Sequence, residues 1–349
     1  MIKIGIIGTG SVSHWHFEEF NQIEDVSISA ACDTDKKKLK KFSSKYKIRN
    51  SYTSFDDLLL NSDVDAIINT TPDKFHKEIA IKALNNGKHI FSEKPLAENY
   101  RDAKEMYHLA KNTGLINMVN FSYRNSSGLQ KIYEIIRSGR LGNVKHVEAS
   151  YFQSWLTSGY WGDWKENPLF LWRLSSKHGS AGVLGDLGVH LFDFVTYPVG
   201  KIKKVFCYLK THKEKGKRIG DYILDANDSF LSIVKFKNGA TGTISSTRVA
   251  TGYKNRLKLK IFCDKGATRI EFDDPIGEGN YFDITKDIES EKMSWEKKTV
   301  PQTLNNFERF IVSVKSGIND QPDFKRGAQI QKILDSCFES SKKKIWVKI

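Results

Sequence analysis

The stretch "IKIGIIGTGSVS", residues 2–13, decides the fold. Its first part is an apolar run typical of a buried strand, and residues 11–21 carry apolar side chains at helical spacing. We expect Gly8 to make the tight turn and Gly10 to let the backbone approach a pyrophosphate at the helix N-terminus. Ser13 takes the position of the third glycine and is small enough for close helix packing. This order predicts the start of a doubly wound dinucleotide-binding domain.

The same alternation of strand and helix continues to about residue 122. Further buried strands are predicted at 26–33, 64–71, 88–93 and 115–121, and further helices at 35–46, 54–60, 74–86 and 99–112. Such alternation favours a parallel sheet with right-handed crossovers. The fold class is therefore predicted as α/β, with residues 1–122 as an N-terminal Rossmann domain.

A different pattern follows in residues 123–349. Strands are predicted at 145–152, 202–210, 229–236, 240–248, 256–263 and 267–273, with helices at 127–138, 303–316 and 325–342. We expect a C-terminal α+β domain with a mainly antiparallel open sheet, which binds substrate and serves oligomerisation. The last helix is expected either in this domain or packed back on the first.

Composition restricts the classes of function. The net charge of +14 is densest in "DKKKLKKF" (35–42), whose helical spacing turns the lysines outward, so we interpret it as a solvated helix face and predict no nucleic-acid partner. No apolar stretch approaches the length of a membrane span and no basic leader precedes the first strand, so we expect a cytoplasmic protein without a membrane partner. The cysteines are scattered and suggest reduced thiols.

The glycine turn and the end of the second strand predict the cofactor. Asp33 lies about twenty residues beyond the turn, where a carboxylate would accept hydrogen bonds from the ribose hydroxyls and repel a 2′-phosphate. This favours NAD, while Lys36 and Lys37 leave NADP possible. The predicted cofactor-binding residues of this part are Gly8, Thr9, Gly10, Ser11, Val12 and Asp33.

A second informative stretch is "GVLGDLGVHLFDF", residues 182–194. On a helix, Asp186 and His190 share a face and Asp193 lies one turn further, an arrangement that suits a general base oriented by a carboxylate. Three alternatives stay open. The pair forms a hydrogen bond on a helix surface, or it binds a metal ion with His178 as third ligand, or Asp186 only starts the helix; we predict no metal.

Together with "TTPDKFH" (70–76) and "EKPLA" (93–97), these motifs resemble, in order and spacing, the Gfo/Idh/MocA family of NAD(P)-dependent oxidoreductases over essentially the whole chain. The resemblance implies that Lys94, Asp186 and His190 are catalytic. It further implies a set of cofactor contacts: Thr71, Pro72, His76, Glu93, Lys94, Asn120 and, as in anhydro-sugar reductase relatives, Trp172 and Arg173 of "LWRL". Core packing remains the alternative for Trp172.

The resemblance also implies a reaction class. We expect hydride transfer between NAD and a secondary alcohol or ketone of a cyclic polyol, sugar or sugar derivative, in a homodimer or homotetramer. Aromatic side chains supply flat walls for sugars, so the substrate candidates are Tyr123, Arg124, Trp161 and Trp164, each with a structural role as the alternative. A nucleotide-sugar 3-dehydrogenase and a non-catalytic NAD(P)-binding regulator remain alternative functions.

Overall fold

The computed structural model describes residues 1–212, 214–273, 279–285 and 294–349. Strands and helices alternate up to Val119. The strands are β1 (Ile2–Ile7), β2 (Val26–Cys32), β3 (Asn50–Tyr52), β4 (Ala66–Asn69), β5 (His89–Ser92) and β6 (Asn117–Val119). The helices are α1 (Ser11–Asn21), α2 (Lys36–Tyr46), α3 (Phe55–Asn61), α4 (His76–Asn85) and α5 (Tyr100–Thr113).

Strands dominate the later part of the chain. Its helices are α6 (Ser127–Arg137), α7 (Pro168–Leu171), α8 (Val189–Val199), α9 (Asn306–Ser316) and α10 (Phe324–Lys343). Its strands are β7 (Val144–Gln153), β8 (Ile202–Lys210), β9 (Arg218–Ile219), β10 (Tyr222–Ile223), β11 (Ser229–Phe236), β12 (Thr241–Thr247), β13 (Asn255–Cys263), β14 (Gly266–Phe272), β15 (Tyr281–Thr285), β16 (Glu296–Thr299) and β17 (Val347–Lys348).

The first of two compact units contains Met1–Phe121 and Leu304–Gln331. Its strands form one sheet in the order β3-β2-β1-β4-β5-β6, and every pair is parallel. The strand order reverses between β1 and β4, which is where doubly wound sheets bind ligands beyond the strands' carboxyl ends. This confirms the predicted Rossmann architecture.

The first unit also takes up α9, which the predicted boundaries assigned to the second domain. Phe307 and Phe310 are completely buried in the core of the first unit. The ring of Phe307 packs against those of Phe20 and Phe91 at centroid distances of 5.1 and 5.3 Å. Burying these rings stabilises the segment on the sheet's helices, so the unit is not contiguous in sequence.

The second unit contains Ser122–Thr303 and Lys332–Ile349. In the described residues its main sheet has the order β16-β15-β14-β13-β7-β12-β11-β8-β17, with β7 and β12 parallel and the other pairs antiparallel. The helix α8 packs on β7 and β13. This confirms the predicted mainly antiparallel sheet. None of the helices in the described ranges is long and apolar enough to span a membrane.

Candidate active site

The glycine turn after β1 is shaped by close backbone contact. Gly8 has φ +91°, and a Cβ atom there would lie 3.0 Å from backbone atoms of Thr70 and Thr71, so only glycine fits without strain. A Cβ on Gly10 would instead point into open space. Ser13 is buried and its Oγ donates to the carbonyl of Gly10 at 2.6 Å. The start of α1 therefore faces open space next to the turn.

The carboxylate of Asp33 is oriented by the same turn. Its Oδ2 accepts hydrogen bonds from the backbone N–H and the Oγ1 of Thr9, at 2.7 and 2.8 Å, and its Oδ1 accepts one from the N–H of Asp35 at 2.8 Å. Thr9 is buried, whereas Ser11 and Val12 at the start of α1 are exposed. Asp33 is thus fixed by neutral donors and stays partly exposed beside the turn.

The loops after β4 and β5 are joined by His76. Its Nδ1 lies 2.7 Å from the carbonyl oxygen of Pro95 and its Nε2 lies 2.8 Å from that of Thr71. The imidazole is completely buried, while Pro72 is exposed. The family resemblance implies a cofactor contact for His76. In the structure, His76 joins the two loops that carry Thr71 and Lys94.

Glu93, directly after β5, is the centre of a buried polar cluster in the first unit. Its Oε1 lies 2.7 Å from Nε2 of His16 and accepts a hydrogen bond from Nδ2 of Asn120 at 2.8 Å, while Oε2 accepts from the backbone N–H of Lys94 at 3.1 Å. Burial alone would raise the pKa of Glu93, but His16, the charge of Lys94 and Asn120 outweigh it and hold the pKa at about 2. Lys94 therefore follows a carboxylate that stays ionised.

In the second unit, Asp186 and His190 lie on two successive helical segments. Residues Leu184–Gly188 form a π-helical turn, and α8 begins at Val189. The single α-helix expected over this stretch is therefore widened around Asp186, as is common at functional sites. His190 is only 9% exposed, and its ring lies edge-on to that of Tyr123 at 4.8 Å.

The phenol of Tyr123 also contacts a second tyrosine, which is buried. Its hydroxyl is hydrogen-bonded to that of Tyr151 on β7. Burial raises the pKa of Tyr151, with a smaller contribution from the charge of Asp186. His190 is thus packed on Tyr123, whose hydroxyl is bound to the buried phenol of Tyr151.

Two arginines surround the carboxylate of Asp186. Its Oδ2 accepts a hydrogen bond from NH2 of Arg248 at 2.7 Å and lies 3.5 Å from Nε of Arg173. The guanidinium of Arg173 stacks on the ring of Trp172 at 4.8 Å. The predicted residues Trp172, Arg173 and Asp186 therefore lie together within the second unit.

The remaining substrate candidates differ in how much of each side chain is exposed. Arg124 is 1% exposed and binds both carboxylate oxygens of Asp193, at 2.7 and 2.9 Å, so the structure favours a core role over the predicted substrate contact. Trp164 is 5% exposed in an apolar cluster with Trp155, which favours packing. Trp161 is 36% exposed and remains accessible.

The described residues offer no set of metal ligands around His178. His178 bonds through Nδ1 to the Oγ of Ser175 at 3.0 Å and packs its ring on Tyr222. Among the residues whose positions are described, no three His, Cys, Asp or Glu side chains are grouped to hold a metal ion.

Two family models match the chain. The one described as "Oxidoreductase family, NAD-binding Rossmann fold" matches residues 2–121, and the one described as "GFO/IDH/MocA C-terminal domain" matches residues 129–269. The chain belongs to the Gfo/Idh/MocA oxidoreductase family. This Gfo/Idh/MocA protein is therefore an NAD-dependent oxidoreductase, as its sequence motifs imply.

Known proteins similar to this Gfo/Idh/MocA chain include two named dehydrogenases. Levoglucosan dehydrogenase of Pseudarthrobacter phenanthrenivorans is 25% identical, with 87% of this chain and 85% of that protein covered. Myo-inositol 2-dehydrogenase of Thermotoga maritima is 27% identical, with 90% and 89% covered. A solved levoglucosan dehydrogenase in complex with NADH and levoglucosan has a TM-score of 0.88 at 22% identity over 100% of this chain and 99% of that one, which shows the shared fold.

The first unit of this family member fits NAD by its own geometry. The open space beside Gly10, at the start of α1, suits a pyrophosphate that backbone N–H groups would bind. Asp33, whose carboxylate is already oriented by Thr9, suits the adenosine ribose hydroxyls. Because both features stand at the carboxyl edge of the parallel sheet, these residues would hold the dinucleotide there.

Sequence analysis of this family member missed His16 and Arg248. His16 lies one helical turn from Ser13 and Phe20 on the buried face of α1, so the spacing of that helix would have placed it inside. Arg248 directly follows β12 in "STRVAT", where no local pattern indicates that an arginine is completely buried.

Proposed function

We propose that the protein transfers a hydride between NAD and the carbon of a secondary alcohol or ketone in a cyclic polyol, sugar or sugar derivative. The observation that carries the proposal is the placement of Lys94. It follows β5 directly, and its backbone N–H donates a hydrogen bond to the ionised carboxylate of Glu93. The relatives support the substrate class, since levoglucosan and myo-inositol are both rings that carry several hydroxyl groups.

Each predicted catalytic residue has a role in this reaction. When bound, the nicotinamide supplies hydride acceptance or donation. An imidazole nitrogen of His190 takes the hydroxyl proton during oxidation and returns it during reduction. Lys94, as an ammonium, stabilises the negative charge that develops on the substrate oxygen. Asp186 orients the imidazole and stabilises its protonated form.

The surroundings of these residues suit their roles. His76 and Glu93 hold the backbone around Lys94 from two sides, which lowers the cost of ordering the lysine. His190 is nearly buried against Tyr123, an environment that restricts water around the imidazole. Asp186 keeps 29% of its side chain exposed, so its charge is not enclosed in the core.

The first test is absorbance at 340 nm with NAD and NADP in parallel. The substrate panel contains inositols, aldoses, anhydro-sugars and nucleotide sugars, each offered in the oxidative direction and, where available, as the ketone with reduced cofactor. We expect turnover confined to one class of ring polyol. Turnover with nucleotide sugars alone would favour the nucleotide-sugar 3-dehydrogenase alternative, and NADH binding without any turnover would favour the regulator.

Two substitutions test the roles on the substrate that this panel identifies. Lys94→Ala and His190→Ala should each lower kcat by about 10²–10⁴-fold, because each removes a group that acts on the reacting oxygen. Lys104→Ala and His108→Ala, exposed on α5, are matched controls that should leave kcat unchanged. Wild-type turnover in either site variant would contradict the assignment of that residue.

We further propose that the protein forms a homodimer or homotetramer through the open face of the second unit's sheet. Tyr208 and Leu231 are paired across β8 and β11, with Ile233 beside them, and all three are at least half exposed. Apolar patches of this kind mark interaction surfaces. The molar mass in solution, measured by light scattering, should fall to that of a monomer when Leu231 and Ile233 are both replaced by Glu. An unchanged mass would exclude this face.

A further inference from the structure

Two arginines of the second unit are buried almost completely: Arg124 is 1% exposed and Arg248 is 0% exposed. Placing a guanidinium in a protein interior costs free energy unless charged partners and hydrogen bonds compensate. Each buried arginine therefore calls for a physical reason, and the two differ in what they bind.

Arg124 forms a closed pair. Its Nε and NH2 donate to the two carboxylate oxygens of Asp193, and its guanidinium lies 3.6 Å from the ring centre of Tyr197. Asp193 is itself only 2% exposed. A bidentate pair with both partners buried joins Arg124 firmly to α8, which carries Asp193.

Arg248 is held at several points but binds a carboxylate at the edge of the core. Its NH2 donates to Oδ2 of Asp186 at 2.7 Å, and its NH1 donates to the carbonyl of Arg173 at 3.1 Å. Its backbone N–H donates to the carbonyl of Asp228 at 2.9 Å, and its guanidinium lies 5.1 Å from the ring centre of Trp155. The arginine is thus rigid, while Asp186 is 29% exposed.

We propose that Arg248 is a positioning residue for the reaction, which acts by fixing the carboxylate of Asp186 in the orientation that His190 requires. The inference rests on the proposed function of Asp186 and His190. A charge-assisted hydrogen bond from a rigid, buried donor restricts the rotation of a partly exposed carboxylate far more than a surface partner would. Preorganisation of this kind lowers the cost of reaching the reactive geometry.

The electrostatics agree with this role. Burial lowers the pKa of Arg248, and the charge of Asp186 opposes that effect. The charge of Asp186 therefore favours the ionised form of Arg248. Nε of Arg173 lies 3.5 Å from the same oxygen of Asp186, so a second positive charge attracts this carboxylate.

The test is a double-mutant cycle between Arg248→Met and Asp186→Asn, measured as kcat per folded molecule on the substrate identified above. Arg248→Met alone should lower kcat by about 10–100-fold, the range over which a lost positioning contact acts. In the Asp186→Asn background the same change should lower kcat by less than about 3-fold, because residues that act through each other are not additive. The dissociation constant for NADH, from fluorescence titration, is measured in the single variant as well, which separates a loss of cofactor binding through Arg173, whose carbonyl Arg248 binds, from a loss of positioning at Asp186.

Arg269→Lys is the matched control for an arginine of the second unit that pairs with a carboxylate, Asp283, and has no proposed role in the reaction. It should lower the melting temperature and leave kcat per folded molecule unchanged, alone and with Asp186→Asn. Arg248→Lys, which keeps the charge but loses the planar fork, should give a kcat between those of wild type and Arg248→Met. If Arg248→Met does not fold, Arg248→Lys takes its place in the same cycle.

Two outcomes would overturn the proposal. One is an unchanged kcat per folded molecule in the Arg248 variant, and the other is an equal loss in the presence and absence of Asp186. The proposed function itself fails separately, if His190→Ala retains turnover while the Arg248 cycle is measured on the same substrate.

Discussion

Each unit of the molecule contains one carboxylate close to a residue that we propose for catalysis, and the two are set in different environments. Glu93 of the first unit has 14% of its side chain exposed and accepts hydrogen bonds on both oxygens. Asp186 of the second unit has 29% exposed and shares one oxygen between two arginines. Glu93 supports the backbone at Lys94, whereas Asp186 is the carboxylate for which we propose a role in the reaction.

The largest expected effect separates the two carboxylates by activity. Asp186→Asn should lower kcat per folded molecule by about 10²–10³-fold, because the amide no longer stabilises a protonated imidazole. It should also lower the melting temperature, because the buried guanidinium of Arg248 loses its carboxylate partner. The measurements are steady-state kinetics and a thermal unfolding curve. Asp221→Asn, exposed in the same unit, is the control. A large loss of stability with unchanged kcat would assign Asp186 a structural role and erase the contrast with Glu93.

The next prediction concerns stability. Glu93→Gln should lower the free energy of unfolding by roughly 2–3 kcal/mol, because the buried partners lose a charged acceptor. The loss in kcat per folded molecule should be smaller than that of Asp186→Asn. Denaturant unfolding gives the free energy, and Glu98→Gln, exposed five residues further on, provides the comparison. If Glu93→Gln proved as stable as wild type, the polar cluster around Glu93 would not be the support that its contacts indicate.

The dependence on pH sharpens the same contrast. The pKa of Glu93 is lowered from 4.5 to about 2 in the folded state, so the unfolded chain takes up a proton first as the pH falls. The stabilisation from Glu93 is therefore fully present above about pH 4.5 and is lost between there and about pH 2. We expect the difference in unfolding free energy between wild type and Glu93→Gln to shrink over that interval. A difference that stays constant down to pH 2 would contradict the lowered pKa.

The smallest effect concerns a third carboxylate, Asp33, which neutral donors orient. Asp33→Ser should narrow the ratio of NAD to NADP affinity by about tenfold, which is about 1.4 kcal/mol, because it removes both the ribose acceptor and the repulsion of a 2′-phosphate. Fluorescence titration with both reduced cofactors measures the ratio. Asp35→Ser, which changes a neighbouring exposed carboxylate, controls for net charge. An unchanged ratio would show that Asp33 does not select the cofactor.

The sequence predicted best the strands that are buried on both faces of the sheet. The central strands β1, β4 and β5 each contain a short run of apolar residues, so their positions followed directly from the pattern. The three-residue β3, mostly exposed at the sheet edge, has no such pattern and was missed. Short strands depend on pairing with a neighbour, which local sequence does not encode.

Long-range packing limited the prediction of the site in the same way. Lys94, Asp186 and His190 could be predicted as catalytic residues because their motifs are local in sequence. The burial of Arg124 depends on Asp193, and that of Arg248 on Asp186, at separations of 69 and 62 residues. Helical spacing places Asp193 correctly on α8 but does not reveal which cation it binds.

The contacts of His76 with two loops have a consequence for engineering. One imidazole ties the loop at Thr71 to the loop at Pro95, so the two loops cannot be varied independently. Loop exchange among family members is a natural route to new substrate preferences. In this chain, residues 70–76 and 93–95 should therefore be exchanged together. Replacing only one of the two loops would leave the buried imidazole of His76 next to a backbone from another protein, without its present partner.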